Sequence, residues 1–151
     1  MEREELAGWL RLALTPGVGN GAARRLLAAF GLPASIFTQP ESAFEHVATA
    51  AQAKALLTEP PQLAPLVETT WQWLNEAGVP APRRLVVLGD PAYPPALLET
   101  EDPPLMLYVM GKIPPAWPEG IAVVGSRNPT AQGVANARQF AAGFAQAGLT
   151  V

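Results

Sequence analysis

The chain has 151 residues, of which 49% are hydrophobic and 15% charged, with no cysteine and a formal net charge of -3. That balance excludes a disordered chain, which would carry more charge and less apolar surface, and a disulfide-stapled secreted domain. Five basic and seven acidic residues precede Glu76 and five basic and six acidic residues follow from it, so neither half is a generic basic patch. A polyanion would have to be held by a few placed groups.

In chain order, Leu6, Trp9, Leu10, Ala13 and Leu14 recur at spacings of three and four and predict a helix from Glu4 to about Leu14. Thr15-Pro16-Gly17-Val18-Gly19-Asn20-Gly21 ends it, and Ala22 to Phe30 reads as a second helix with Gly31 at its C-terminal cap. Short helical turns are expected at 35–37 and 42–47. A helix over 48–57 and another over 63–77, closed by Gly78, complete an all-helical unit of residues 1–78.

After Pro80-Ala81-Pro82 the texture changes. Arg83 to Leu88 is a strand-forming run ended by Gly89-Asp90-Pro91, and 93–98 is a turn leading into one helical turn. Leu105 to Met110 predicts a second strand. Ile121-Ala122-Val123-Val124 predicts a buried parallel strand that runs into Gly125-Ser126-Arg127-Asn128-Pro129-Thr130. A helix to about Ala147 follows, with Val134, Ala137, Ala141 and Phe144 inward and Gly148 as cap. Leu149-Thr150-Val151 begins another strand. Strand, glycine loop, helix, strand is the opening of a parallel α/β unit, residues 79–151 here, and it stops too early to cover its own sheet, so the chain reads as a fragment.

Two loops can carry chemistry. In 123–130, Gly125 lets a ligand approach the backbone, Ser126 offers a hydroxyl, Arg127 can pair with phosphate oxygens, and Thr130 can cap the helix beside unpaired N–H groups. The spacing is neither a dinucleotide fingerprint nor an NTPase loop, and the same residues also suit a plain strand–helix corner with a solvated arginine. In 14–27, helix, Pro-Gly-apolar-Gly turn and helix have the layout of a helix-hairpin-helix module, whose N–H groups face a phosphodiester backbone. Gly17, Gly19 and Arg24 are the secondary candidates there, with Val18 as an apolar plug that would equally make a structural corner. No apolar run reaches the roughly 18–20 residues that span a bilayer, and the acidic start, Met1-Glu2-Arg3-Glu4-Glu5, differs from a signal peptide's basic end, so a soluble cytoplasmic protein is expected. One histidine, His46, and no cysteine give no transition-metal donor set, and neither a metal nor another cofactor is expected. No catalytic residue is assigned.

Four blocks in order carry a resemblance: Leu14-Thr15-Pro16-Gly17-Val18-Gly19, the run from Leu88-Gly89-Asp90-Pro91 to Leu98, Pro103 to Gly111, and Ile121 to Thr130. Together they resemble the DNA-processing protein A family (DprA, also called Smf). The resemblance implies an α plus α/β chain: a small all-helical, sterile-alpha-motif-like (helix-hairpin-helix-like) domain at 1–78, then the N-terminal part of an extended Rossmann fold at 79–151. It implies a non-enzymatic role in DNA recombination, in which single-stranded DNA is bound and the RecA recombinase is loaded on it during natural transformation (competence), and a homodimer at full length. It also implies that Gly125, Ser126 and Arg127 line the pocket for DNA phosphates. Two other readings compete. One is a nucleotide-processing Rossmann enzyme of the lysine-decarboxylase-like phosphoribohydrolase type, which would need a catalytic acid after Val151. The other is a helical protein-interaction module.

Overall fold

The computed structural model describes the whole chain, Met1–Val151. The chain divides into two compact units, Met1–Ile113 and Pro114–Val151. The change of sequence texture at 78/79 does not coincide with that division. The first strand is drawn into the helical unit because Leu85 and Val87 are buried in the same apolar cluster as Leu6, Trp9 and Leu10.

In the first unit, α1 (Arg3–Leu14) is the central element, apolar on two sides. One side, Leu6, Trp9 and Leu10, packs with Leu63 and Val67 of α5 (Leu63–Asn75) and with the first strand. Its other side gives Leu12 to a second cluster with Ala23 and Leu26 of α2 (Asn20–Phe30), Ile36 of the short α3 (Pro33–Ile36), Phe44 of a 3-10 turn (Glu41–Phe44) and Leu56 of α4 (Ala50–Leu56). Such burial, at about 25 cal/mol per Å² of apolar surface removed from water, is the main force holding the unit together. The helix boundaries have local causes. Gly31 takes φ 82 and donates to Leu27 O at 2.9 Å, closing α2, while Thr49 and Gln52 form a reciprocal capping box at the start of α4.

Strands β1 (Arg83–Val87) and β2 (Met106–Met110) pair antiparallel, with Leu85 opposite Tyr108 and Val86 opposite Leu107. The pairing extends past both ends through Leu88 N to Leu105 O and Gly111 N to Pro82 O, each 2.8 Å. Between the strands, the turn at Gly89 (φ 90) and α6 (Pro95–Leu98) lead the chain back. Leu105 is buried in the α2 cluster, and the Tyr93 hydroxyl donates to Pro104 O at 2.7 Å. Both anchor the segment that precedes β2.

The second unit contains α7 (Ala131–Gln146) and little else that is regular. The strand expected at 121–124 does not form: these residues belong to no ladder, and Val124 is 90% exposed. A single parallel bridge joins Gly120 to Thr150, with Ile121 N on Thr150 O and Thr150 N on Glu119 O, both 2.8 Å. The bridge is parallel, as a strand–helix–strand unit requires, but the strand expected at 149–151 does not form either and is reduced to this one bridge at Thr150. The ladder is missing because no further strand lies beside 121–124 to take up its backbone groups. The inward face expected on α7 is likewise not buried: Val134, Ala141 and Phe144 are half-buried and Ala137 is exposed. Apolar periodicity marks the face that needs a sheet without supplying the sheet. No helix of the chain is long and apolar enough to cross a membrane.

Candidate nucleic-acid interface

The turn 123–130 is built by two short hydroxyl-to-backbone bonds. Ser126 Oγ accepts from Asn128 N at 3.1 Å, which folds the chain back over itself immediately before Pro129. Thr130 stands in extended backbone (φ -69, ψ 160) as the N-cap of α7, and its Oγ1 accepts from Gly133 N at 3.1 Å. The first backbone bond of the helix is Val134 N to Thr130 O, 3.0 Å. The N–H groups of Ala131 and Gln132 therefore have no helical acceptor and point out of the helix end.

Glycine at 125 is not required by the backbone, since Gly125 does not adopt a positive φ. What glycine supplies there is room: a Cβ at this position would meet nothing within 4 Å. Gly133 differs, because its added Cβ would stand 3.3 Å from Thr130 Oγ1 and crowd the cap.

The charges around the turn are of one sign. Arg127 is exposed and enters none of the chain's ion pairs, and α7 has no acidic residue in its first turn. An open groove of about 660 Å³ runs from Val123 past Ser126 and Thr130 to Val134 and Arg138, with no carboxylate in its lining. Arg138 was not singled out by sequence motifs. Its place four residues after Val134, on the same helical face, was the available signal. The groove can accept an anion through the Ser126 hydroxyl and the unpaired Arg138 guanidinium, near a helix start with free backbone N–H groups, and Arg127 stands exposed in the same turn outside the groove's lining.

The corner 14–27 has the helix, turn and helix expected of it but a different chemistry. Val18 is buried in the α2 cluster, and Gly17 holds φ 75 while its carbonyl accepts from Gln52 Nε2 at 2.7 Å. Gly19 is the N-cap of α2 without a side-chain cap bond. Arg24 is committed within the chain: Nη1 donates to Asp102 Oδ1 at 3.0 Å and to Pro103 O at 2.8 Å. Asn20 Nδ2 donates to Asp102 Oδ2 at 2.9 Å. These two donors hold the Asp102 carboxyl below the ordinary carboxylate range, the Asn20 bond first and the Arg24 bond and charge after it. No local motif marks Asp102, since its partners lie 78 and more positions away.

His46 is exposed, and no group of histidines, cysteines and carboxylates is arranged to hold a metal ion. Of the tryptophans, Trp9 is buried in the α1–α5 cluster and Trp71 packs against it. Trp73 is half-buried, edge-on to Tyr108 with ring centroids 5.4 Å apart and with the Arg83 guanidinium 5.1 Å from its ring.

No curated protein and no solved structure matches the chain. A family model does: residues 84–151 match the family described as DNA recombination-mediator protein A. The matched stretch includes β2, all of β1 but Arg83, the Gly-Ser-Arg turn and α7. Over residues 84–151 the resemblance drawn from the sequence blocks holds, and the chain is matched there to the DNA recombination-mediator protein A family.

Proposed function

We propose that the chain is part of a DNA recombination mediator that binds single-stranded DNA and loads the RecA recombinase on it during natural transformation. In this reading the turn before α7 is the phosphate contact, made by Gly125, Ser126, Arg127 and Thr130. Residues 1–78 serve as a sterile-alpha-motif-like helical domain and 79–151 as the start of an extended Rossmann fold. The full-length protein is a cytoplasmic homodimer without enzymatic activity of its own.

The observation that carries the reading is the groove at the start of α7, lined by Gly125, Ser126, Thr130 and Arg138 with no carboxylate, together with an exposed, unpaired Arg127 in the same turn. Groups of this kind reach phosphates and leave the bases unread, as a sequence-tolerant single-strand binder requires. With a net charge of -3 the overall field of the chain gives little help, so a few placed groups must supply the affinity.

The test is binding of a single-stranded oligonucleotide across a salt series. Replacing Arg127 by alanine is expected to weaken binding by about 1.5–3 kcal/mol, the range for a hydrogen bond to a charged group. It should also flatten the log–log salt slope by about 0.7 for each phosphate that the protein no longer neutralises. Unchanged affinity and slope would remove Arg127 from the interface.

A further inference from the structure

Asp102 lies 78 positions after Arg24, yet its carboxylate reaches the first turns of α2. One oxygen accepts from Asn20 Nδ2 at 2.9 Å and the other from Arg24 Nη1 at 3.0 Å, and Nη1 also donates to Pro103 O. The guanidinium leans over the start of the helix: a Cβ added at Gly21 would stand 3.7 Å from Arg24 Nη2. No acidic residue of α2 itself sits in that first turn. Asn20 and Arg24 thus form a two-point receptor for an anion, and an anion supplied by a distant loop already fills it. The receptor is more buried than its occupant, with side-chain exposures of 27% for Arg24 and 63% for Asp102. Two oxygens of a phosphate group offer the same pair of acceptors to the same two donors.

We propose that Asp102 is an internal competitor: Asn20 and Arg24 make a second phosphate-binding point, and a phosphate group enters it only by displacing the Asp102 carboxylate. The proposal takes its ligand class from the single-stranded DNA reading but does not depend on the turn before α7. Solvent-exposed ion pairs hold weakly, so the competition is a matter of a few-fold in affinity and leaves the fold intact. It also accounts for an arginine at the helix start that would otherwise serve only to hold a loop.

The experiment measures binding of a fluorescent single-stranded oligonucleotide to the 151-residue chain at low salt, in both the unaltered and the Arg127→Ala backgrounds. Asp102→Asn and Asp102→Ala are each compared with Glu101→Gln, which removes the same charge from the neighbouring residue without freeing Arg24. Asp102→Asn and Asp102→Ala are expected to bind about two- to five-fold tighter than Glu101→Gln, on the order expected for release of an exposed ion pair. Adding Arg24→Gln is expected to erase that gain. Inorganic phosphate added to the complex separates the two sources of the ligand: disappearance of the gain at millimolar phosphate assigns the point to free phosphate, and persistence assigns it to the phosphodiester chain. Equal affinities for the Asp102 and Glu101 variants, or a gain that survives Arg24→Gln, overturn the proposal. So does the absence of binding by every variant. If the Gly-Ser-Arg reading alone is wrong, Arg127→Ala changes nothing while the Asp102 gain remains; if this proposal alone is wrong, the reverse is seen.

Discussion

The corner before α2 and the turn before α7 are written in similar residues. Each has glycine, a helix start with free N–H groups and a nearby arginine. In the corner, Val18 is buried, the Gly17 carbonyl is bonded by Gln52, and Arg24 is paired with Asp102. In the turn, Arg127 is unpaired, and Gly125 looks onto open space. A glycine–arginine pattern thus states which groups are available and not whether they are already engaged. That is decided by what the rest of the chain brings alongside. The corner lies in a unit with two packed clusters, whereas α7 has no buried residue at all.

The widest contrast is therefore in packing. Phe44 is buried and edge-on to Phe30 with centroids 5.5 Å apart, so Phe44→Ala should cost about 3–5 kcal/mol in urea unfolding followed by the helix signal. Phe144 is half-buried and stacks only on Phe140, at 6.2 Å, and Phe144→Ala should cost about 1 kcal/mol or less. Equal losses would mean that α7 is packed as tightly as the first unit. The glycines sharpen the same comparison. Gly17→Ala forces a side chain into φ 75 and should destabilise by about 1–2 kcal/mol without touching oligonucleotide affinity. Gly125→Ala should stay within about 0.5 kcal/mol in stability and weaken the oligonucleotide by shielding the backbone it approaches. At the start of α7, Thr130→Ala removes the cap on Gly133 N and should cost about 1 kcal/mol, read as faster amide exchange at Gly133.

Much of the fold could be read from local pattern. The helices of the first unit follow from apolar spacing and from glycines at their ends, and the two strands from short apolar-rich runs bounded by proline and glycine. Pairing was not legible. Nothing in the run 121–124 announces that it joins no ladder and that the one bridge nearby falls at Gly120, because a strand's partners lie elsewhere in the chain. The site divides the same way. Thr130 as a cap is a short-range property and could be foreseen, while Asp102 as the partner of Asn20 and Arg24 depends on a loop returning from 78 or more positions away. The division at Ile113 rather than at 78 has the same origin, since Leu85 and Val87 join a cluster seeded by α1.

The smallest expected effect concerns how that returning loop is held against pH. The Asp102 carboxyl titrates below its ordinary 3.8 in the folded chain because Asn20 and Arg24 favour the charged form. Its contribution to stability is therefore complete above that ordinary value and is lost as pH falls through the lower folded one. The Tyr93 hydroxyl, bonded to Pro104 O two residues further along the same loop, titrates above its ordinary 10.0 because burial disfavours the phenolate, an effect that the Arg24 charge partly offsets. Its contribution is complete below 10.0 and is lost as pH rises through the higher folded value. The urea midpoint should accordingly decline on both flanks, with Asp102→Asn flattening only the acid flank and Tyr93→Phe only the alkaline one. A Tyr93→Phe variant that kept the full alkaline decline would show that the loop is held by Leu105 and the Arg24 clip alone, and that the hydroxyl bond to Pro104 adds nothing to the anchoring of Asp102.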